Sequence, residues 1–162
     1  MIGILNYGLG NLLSVFNALE FLDGKPEFVS DGANLARVDG LVIPGVGHFG
    51  KGMQALEALG LVEPLNEEVI VRRKPVLGIC LGMQLMCAYS EEAGRKGLGW
   101  FDERVRLLNS KELRTPNIGW SEVSITGGRM RDVLLCSQLL CRRRCSRCDF
   151  LHKFGCKSGR FP

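Results

Sequence analysis

The sequence predicts an α/β protein, a parallel sheet flanked by helices, and three observations carry that expectation. Over residues 1–126, short apolar runs alternate with amphipathic stretches, the order that gives parallel strands with helices on both faces. Pro75-Val-Leu-Gly-Ile-Cys-Leu-Gly-Met-Gln84 is an apolar run that breaks into a helix, with a cysteine at the break. From Gly127 onward the composition changes so sharply that the prediction is confined to what precedes it.

The elements follow in order. Ile2 to Asn6 is a short apolar strand, Tyr7-Gly-Leu-Gly10 a turn, and Asn11 a cap for the next helix. Leu12, Val15, Phe16, Leu19 and Leu22 recur at spacings of three and four, an amphipathic stripe that Asp23-Gly24 ends. Pro26 to Val29 starts a second strand, and Leu41 to Ile43, closed by Pro44, is a third. Met53 to Leu61 and Leu65 to Val71 read as helices broken at Pro64. Val76, Leu77 and Ile79 read as a fourth strand covered on both faces. The helix after Cys80 buries Leu81 and Leu85, with Met86 and Cys87 as further candidates. Residues 103–109 and 121–126 read as later strands.

The break at Cys80 carries the chemistry. Gly78 and Gly82 flank the cysteine at a spacing of two, as a sharp strand-to-helix turn requires. Such turns hold a nucleophile in a strained backbone region and, in serine hydrolases, lift it clear of the sheet. A thiol there lies at a helix N-terminus, whose N–H groups and dipole favour the thiolate. The pattern taken alone fits equally a buried core cysteine beside two packing glycines.

Length and composition narrow the classes. A chain of 162 residues with 46% hydrophobic content is long enough for one domain with a sizeable core. No run approaches the roughly 18 apolar residues of a membrane span, and the N-terminus lacks the pattern of a secretory signal. A cytoplasmic setting is expected. Of the seven cysteines, only Cys80 and Cys87 lie before residue 127, which suits a reducing compartment. The net charge of +4 hides an asymmetry. Residues 127–162 hold nine Lys or Arg against two Asp, whereas residues 1–126 hold twelve basic residues against fifteen acidic. The expected organisation is therefore a body, 1–126, and a divergent tail, 127–162, rich in Arg and Cys.

Two further stretches join the cysteine turn. Gly78-Ile-Cys-Leu-Gly-Met-Gln84 resembles the nucleophile elbow of class I glutamine amidotransferases, and Val42-Ile-Pro-Gly-Val-Gly-His-Phe49 is similar to their oxyanion-strand motif. Ile4-Leu-Asn-Tyr-Gly-Leu-Gly-Asn-Leu12 resembles the start of one branch, the glutaminase subunit of imidazole glycerol phosphate synthase. Gly97-Leu-Gly-Trp100 and Pro116-Asn-Ile-Gly-Trp-Ser-Glu-Val123 extend the likeness, which covers about residues 1–123.

The resemblance implies a flavodoxin-like domain, incomplete at its C-terminus, that hydrolyses glutamine to glutamate and ammonia. The ammonia would pass to a cyclase subunit that makes imidazole glycerol phosphate in histidine biosynthesis, so the expected partner is that cyclase, in a heterodimer. It implies Cys80 as nucleophile. The N–H of Leu81, at the helix start, is a natural oxyanion donor. The resemblance places a second donor in Gly45, Val46 and Gly47, a glutamine-binding position at Gln84, and a docking surface around Gly10 and Asn11. No metal or organic cofactor is implied.

One part of the pattern is missing. The family's base is a histidine in a string of the form H-P-E, and the 162 residues contain none. His48 is expected to sit near a helix start rather than to act as base. His152, in Asp149-Phe-Leu-His-Lys-Phe154, faintly resembles a site-lining segment that does not supply the base. The body is therefore expected to be catalytically inactive as it stands, and the tail to arise from a shifted reading frame. Two alternatives remain: a relic that only docks on the cyclase, and a tail in which Cys136, Cys141, Cys145 and Cys148 bind zinc beside arginines suited to nucleic acid.

Overall fold

The computed structural model describes the backbone of residues 1–107, 117–125, 128–137 and 139–141, and the side chains of residues 1–106. Its centre is a four-stranded sheet in the order β2-β1-β3-β4: β1 (Ile2–Leu5), β2 (Pro26–Val29), β3 (Gly40–Ile43) and β4 (Val76–Gly78). All three pairings are parallel, with Ile4 opposite both Phe28 and Val42, and Val42 opposite Leu77. Parallel strands need crossovers, and helices supply them. These are α1 (Leu12–Phe21), α2 (Gly32–Arg37), α3 (Phe49–Ala58) and α4 (Val62–Asn66), the last running into one π-turn over Glu67–Val71. The expected parallel α/β architecture is present.

After β4 come α5 (Leu81–Leu85), β5 (Cys87–Ser90), β6 (Arg95–Lys96) and β7 (Phe101–Leu107), then β8 (Asn117–Ile125), β9 (Gly128–Ser137) and β10 (Leu139–Cys141). They form a second sheet, β10-β7-β5-β6, and a separate β8–β9 antiparallel pair.

The two faces of the central sheet differ. Leu5, Val29, Leu41 and Ile43 point to one side and pack with Phe49, Met53, Leu56, Leu81 and Leu85 in the core. The other side carries Ile4 and Val42, which are buried, and Phe28 and Leu77, which are 46% and 45% exposed. Its cover is α1, where the Phe16 and Phe28 rings lie 5.1 Å apart, yet none of the residues of α1 is buried. Beside α1 an apolar groove of about 410 Å³ opens, lined by Ile2, Leu19, Val42 and Leu77 among others.

That groove corrects the expectation that the fourth strand is covered on both faces. Among the described residues β4 is an edge strand of its sheet, and Leu77 and Ile79 are both exposed. Apolar sequence alone does not distinguish a central strand from an edge strand.

Three other boundaries move, for local reasons. Pro64 does not break a helix. It sits in the first turn of α4, where the N–H it lacks has no intrahelical partner anyway. The helix after Cys80 stops at Leu85, because Leu98, Trp100 and Phe101 donate to the carbonyls of Leu85 and Met86 at 2.8–3.1 Å. Met86 and Cys87 are buried as expected, but Cys87 begins a strand. Finally, α2 forms where no helix is expected. It is too short for a readable period but is capped by Asp31, whose carboxylate accepts from the Asn34 N–H at 2.8 Å.

The π-turn brings Glu68 and Lys74 together. Both side chains are almost fully buried and they pair at 2.8 Å, which neutralises each charge away from water. Among the described residues no helix is long and apolar enough to cross a membrane. The side chains of Cys136, Cys141, Cys145, Cys148 and His152 lie outside the described residues.

Candidate active site

In open α/β sheets, ligands bind beyond the carboxyl ends of the strands, where the strand order reverses. Here that place lies between β1 and β3. The segments leaving the carboxyl ends of β1, β3 and β4 are Tyr7–Gly10, Pro44–His48 and Cys80, the three stretches singled out in the sequence.

Cys80 occupies the turn between β4 and α5 with φ 53° and ψ −112°. That positive φ is a region side chains avoid, and it costs of order 1–3 kcal/mol. The turn is held by Ile79, whose N–H donates to the Ile43 carbonyl at 2.9 Å, and by Gly82, whose N–H donates to the Ile79 carbonyl at 3.0 Å. Both flanking glycines are obligatory through close approach. A Cβ on Gly82 would collide with the Ile43 carbonyl, and one on Gly78 would lie 2.5 Å from the Met83 Cα. The thiol is exposed, whereas Cys87 is buried. Of the two readings the spacing allowed, a packed core cysteine is therefore excluded for Cys80.

Leu81 is buried at the first position of α5, where helix geometry leaves its N–H without an intrahelical acceptor. Gln84 lies one turn on, its N–H bonded to the Cys80 carbonyl at 3.1 Å and its side chain only 7% exposed. A solvated helix-surface glutamine is thereby excluded.

The Pro44–His48 loop abuts this turn. Gly45 is buried, and a Cβ there would lie 2.9 Å from the Leu81 Cβ and 3.0 Å from the Gly82 nitrogen. Val46 and Gly47 are exposed, and Gly47 has φ +106° with open space around it, so conformation rather than crowding calls for glycine. His48 is exposed and caps α3, its Nδ1 accepting the Gly50 N–H at 3.0 Å. The helix-start reading of His48 is the one observed.

Gly10 (φ +110°) packs on the same loop, where an added Cβ would lie 3.2 Å from the Gly45 nitrogen. Asn11 is exposed and caps α1 by accepting the Ser14 N–H at 3.2 Å.

Two further side chains hold the site: Tyr7, from within the amino-terminal motif but with no role assigned to it there, and Glu92, from outside every motif. Tyr7 is buried, and its hydroxyl donates to the Pro44 carbonyl at 2.8 Å. Burial, and secondly the neighbouring Cys80 charge, push its phenol far above the ordinary value, so it stays a donor at any working pH. Glu92 accepts the Phe49 N–H at 2.8 Å, placing a carboxylate at the N-terminus of α3. The sequence offers only a weak hint of either: an aromatic residue beside the Gly-Leu-Gly turn, and an acidic pair after β5.

A strained, exposed thiol at a helix start, next to a glycine loop of turnable peptides, is the arrangement of a nucleophile beside an oxyanion site. The family model for class-I glutamine amidotransferases matches residues 20–130, and the chain belongs to that family. Within it, the chain is 41% identical over 125 residues to imidazole glycerol phosphate synthase subunit HisH 2 of Pseudomonas aeruginosa, covering 76% of this chain and 62% of that protein. It is 48% identical over 121 residues to subunit HisH of Symbiobacterium thermophilum, covering 74% and 56%. The match to subunit HisH of Leptospira interrogans is 38% over 128 residues, covering 76% and 63%. The chain thus spans about three fifths of the length of the curated relatives it matches. A solved structure described as "Crystal structure of glutamine amidotransferase" shares the fold, with a TM-score of 0.74 at 16% identity over 90% of this chain and 75% of that one.

Proposed function

We propose that the body, residues 1–126, is the glutaminase part of an imidazole glycerol phosphate synthase. It would take ammonia from glutamine and pass it to a cyclase subunit bound as a heterodimer in the cytoplasm. The observation that carries this reading is Cys80 at φ 53°, exposed between a buried Leu81 and the Gly45 loop.

The reading implies the following steps. The Cys80 thiolate adds to the side-chain amide carbon of glutamine, and the oxygen becomes negative. The Leu81 N–H and an N–H from the Gly45–Val46–Gly47 segment receive that charge, and Gln84 helps to seat the substrate. Ammonia leaves once protonated, and water then releases glutamate from the thioester. Gly10 and Asn11 would form part of the surface presented to the cyclase, and the packing of Gly10 on Gly45 supports a link from that surface to the loop beside Cys80.

The last step needs a base that the 162 residues do not offer in the family's form, and general acid–base steps contribute roughly 10² to 10⁴-fold each. His48 is occupied as a helix cap. On this reading the 162-residue polypeptide does not turn over, and residues 127–162 are the product of a shifted frame. A glutamate-release assay with a partner cyclase, run beside Cys80→Ala, tests the first point. Cys80-dependent turnover would overturn it. Mass spectrometry of the native product tests the second: a longer chain ending in a histidine–glutamate motif shows that the 162-residue sequence is an artefact of the shift, and an intact 17.9 kDa product shows that the tail is real.

A further inference from the structure

We propose that Tyr7 and Glu92 are positioning residues that clamp the two ends of the Pro44–His48 loop, fixing its peptides beside Cys80. The Tyr7 hydroxyl holds the Pro44 carbonyl at 2.8 Å, and Glu92 holds the Phe49 N–H at 2.8 Å. This rests on the glutaminase reading above and names residues that reading does not use.

The peptide unit is planar, so fixing the Pro44 oxygen fixes the direction of the Gly45 N–H on its far side. The hydroxyl also crowds the space where a Gly45 side chain would stand, as do the Leu81 Cβ and the Gly82 nitrogen. The first peptide of the loop is therefore bonded by Tyr7 and closely packed at Gly45. At the far end, the backbone enters α3 with its first N–H, that of Phe49, bound by Glu92 and its second, that of Gly50, bound by His48. Between the clamps lie Val46 and Gly47, both exposed, the second in a backbone region open to glycine. Fixed ends with turnable central peptides confine any reorientation to the Val46 and Gly47 N–H groups. Hydrogen-bond donors aimed at a developing oxyanion act only when they are held in place, and a displacement of about 1 Å costs on the order of 10²-fold.

The test compares two thiol reagents at Cys80, followed by peptide-resolved mass spectrometry. Iodoacetamide reports the thiolate alone. The chloromethyl ketone analogue of glutamine reports the thiolate together with the substrate seat and the oxyanion donors. In both, the sulfur–carbon bond forms as the carbon–halogen bond breaks, halide leaves, and the thiol proton goes to solvent. Tyr7→Phe is expected to slow the chloroketone about 10-fold or more while changing the iodoacetamide rate less than about 3-fold. Glu92→Leu is expected to do the same, and Glu92→Gln, which keeps an acceptor oxygen, to restore the unaltered rate. The Glu92 pair decides the matter if Tyr7→Phe does not fold. Equal loss for both reagents, or no loss for either, overturns the clamp while leaving the glutaminase reading intact. An unaltered chain whose Cys80 shows no preference for the glutamine-shaped reagent overturns both.

Discussion

The backbone of Gly82 lies directly against the carbonyl of Ile43, leaving no room for a methyl group. The contact ties α5 to the end of β3 and so sets the distance between Cys80 and the Gly45 loop. Gly82→Ala is expected to lower unfolding stability by about 3 kcal/mol, the upper end of the usual overpacking range, because the opposing atoms are backbone and cannot rotate away. Gly47→Ala meets no atoms and is expected to cost only about 1 kcal/mol through its positive φ. Urea midpoints of the two variants check the order. Equal losses would contradict it.

Cys80 carries strain that a glycine would release. Cys80→Gly is expected to raise stability by about 1 kcal/mol, whereas Cys80→Ala, which keeps a Cβ at φ 53°, is not. Thermal unfolding of both variants distinguishes strain from simple loss of the sulfur. A stability gain confined to the alanine variant would refute the strained turn.

His48 acts as a cap. His48→Ala is expected to cost about 1 kcal/mol by leaving the Gly50 N–H without its acceptor. The pH profile of Cys80 alkylation is expected to stay where it is. An altered profile in His48→Ala would make His48 a base after all.

Alkaline stability follows from Tyr7. Its phenol is raised above the ordinary 10.0 in the fold, so above pH 10 the unfolded chain releases a proton that the folded chain retains. Stability from this group is therefore complete below about pH 10 and falls as pH rises beyond it. Melting temperatures measured on either side of pH 10 should show a decline that is smaller in Tyr7→Phe. The same slope in both would contradict the assignment.

The open groove makes a separate claim. Leu77 contributes exposed apolar surface at a sheet edge, the combination that invites association. Leu77→Lys is expected to reduce self-association in sedimentation while changing the unfolding midpoint by less than about 1 kcal/mol. Unchanged association would show that the groove is not the contact.

Much of the site was legible because its determinants are local. Glycines two residues either side of Cys80 can be read directly, as can Pro44 closing an apolar run and Asn11 preceding a helical stripe. The parts that escaped depend on partners far along the chain. Tyr7 and Pro44 are 37 positions apart, and Phe49 and Glu92 are 43 apart. The end of α5 is likewise set from outside, by residues 98–101 taking the carbonyls of Leu85 and Met86. The exposure of Leu77 was hidden for a different reason: an apolar strand reads the same at the centre of a sheet and at its edge.

The most direct test of the central claim is protection of Cys80 by glutamine. The chain is alkylated with iodoacetamide at neutral pH, with and without saturating glutamine, and the modified peptides are quantified. Cys80 is expected to react faster than Cys87, and glutamine to slow Cys80 but not Cys87. Alkylation of Cys80 at the same rate with and without glutamine would contradict the claim.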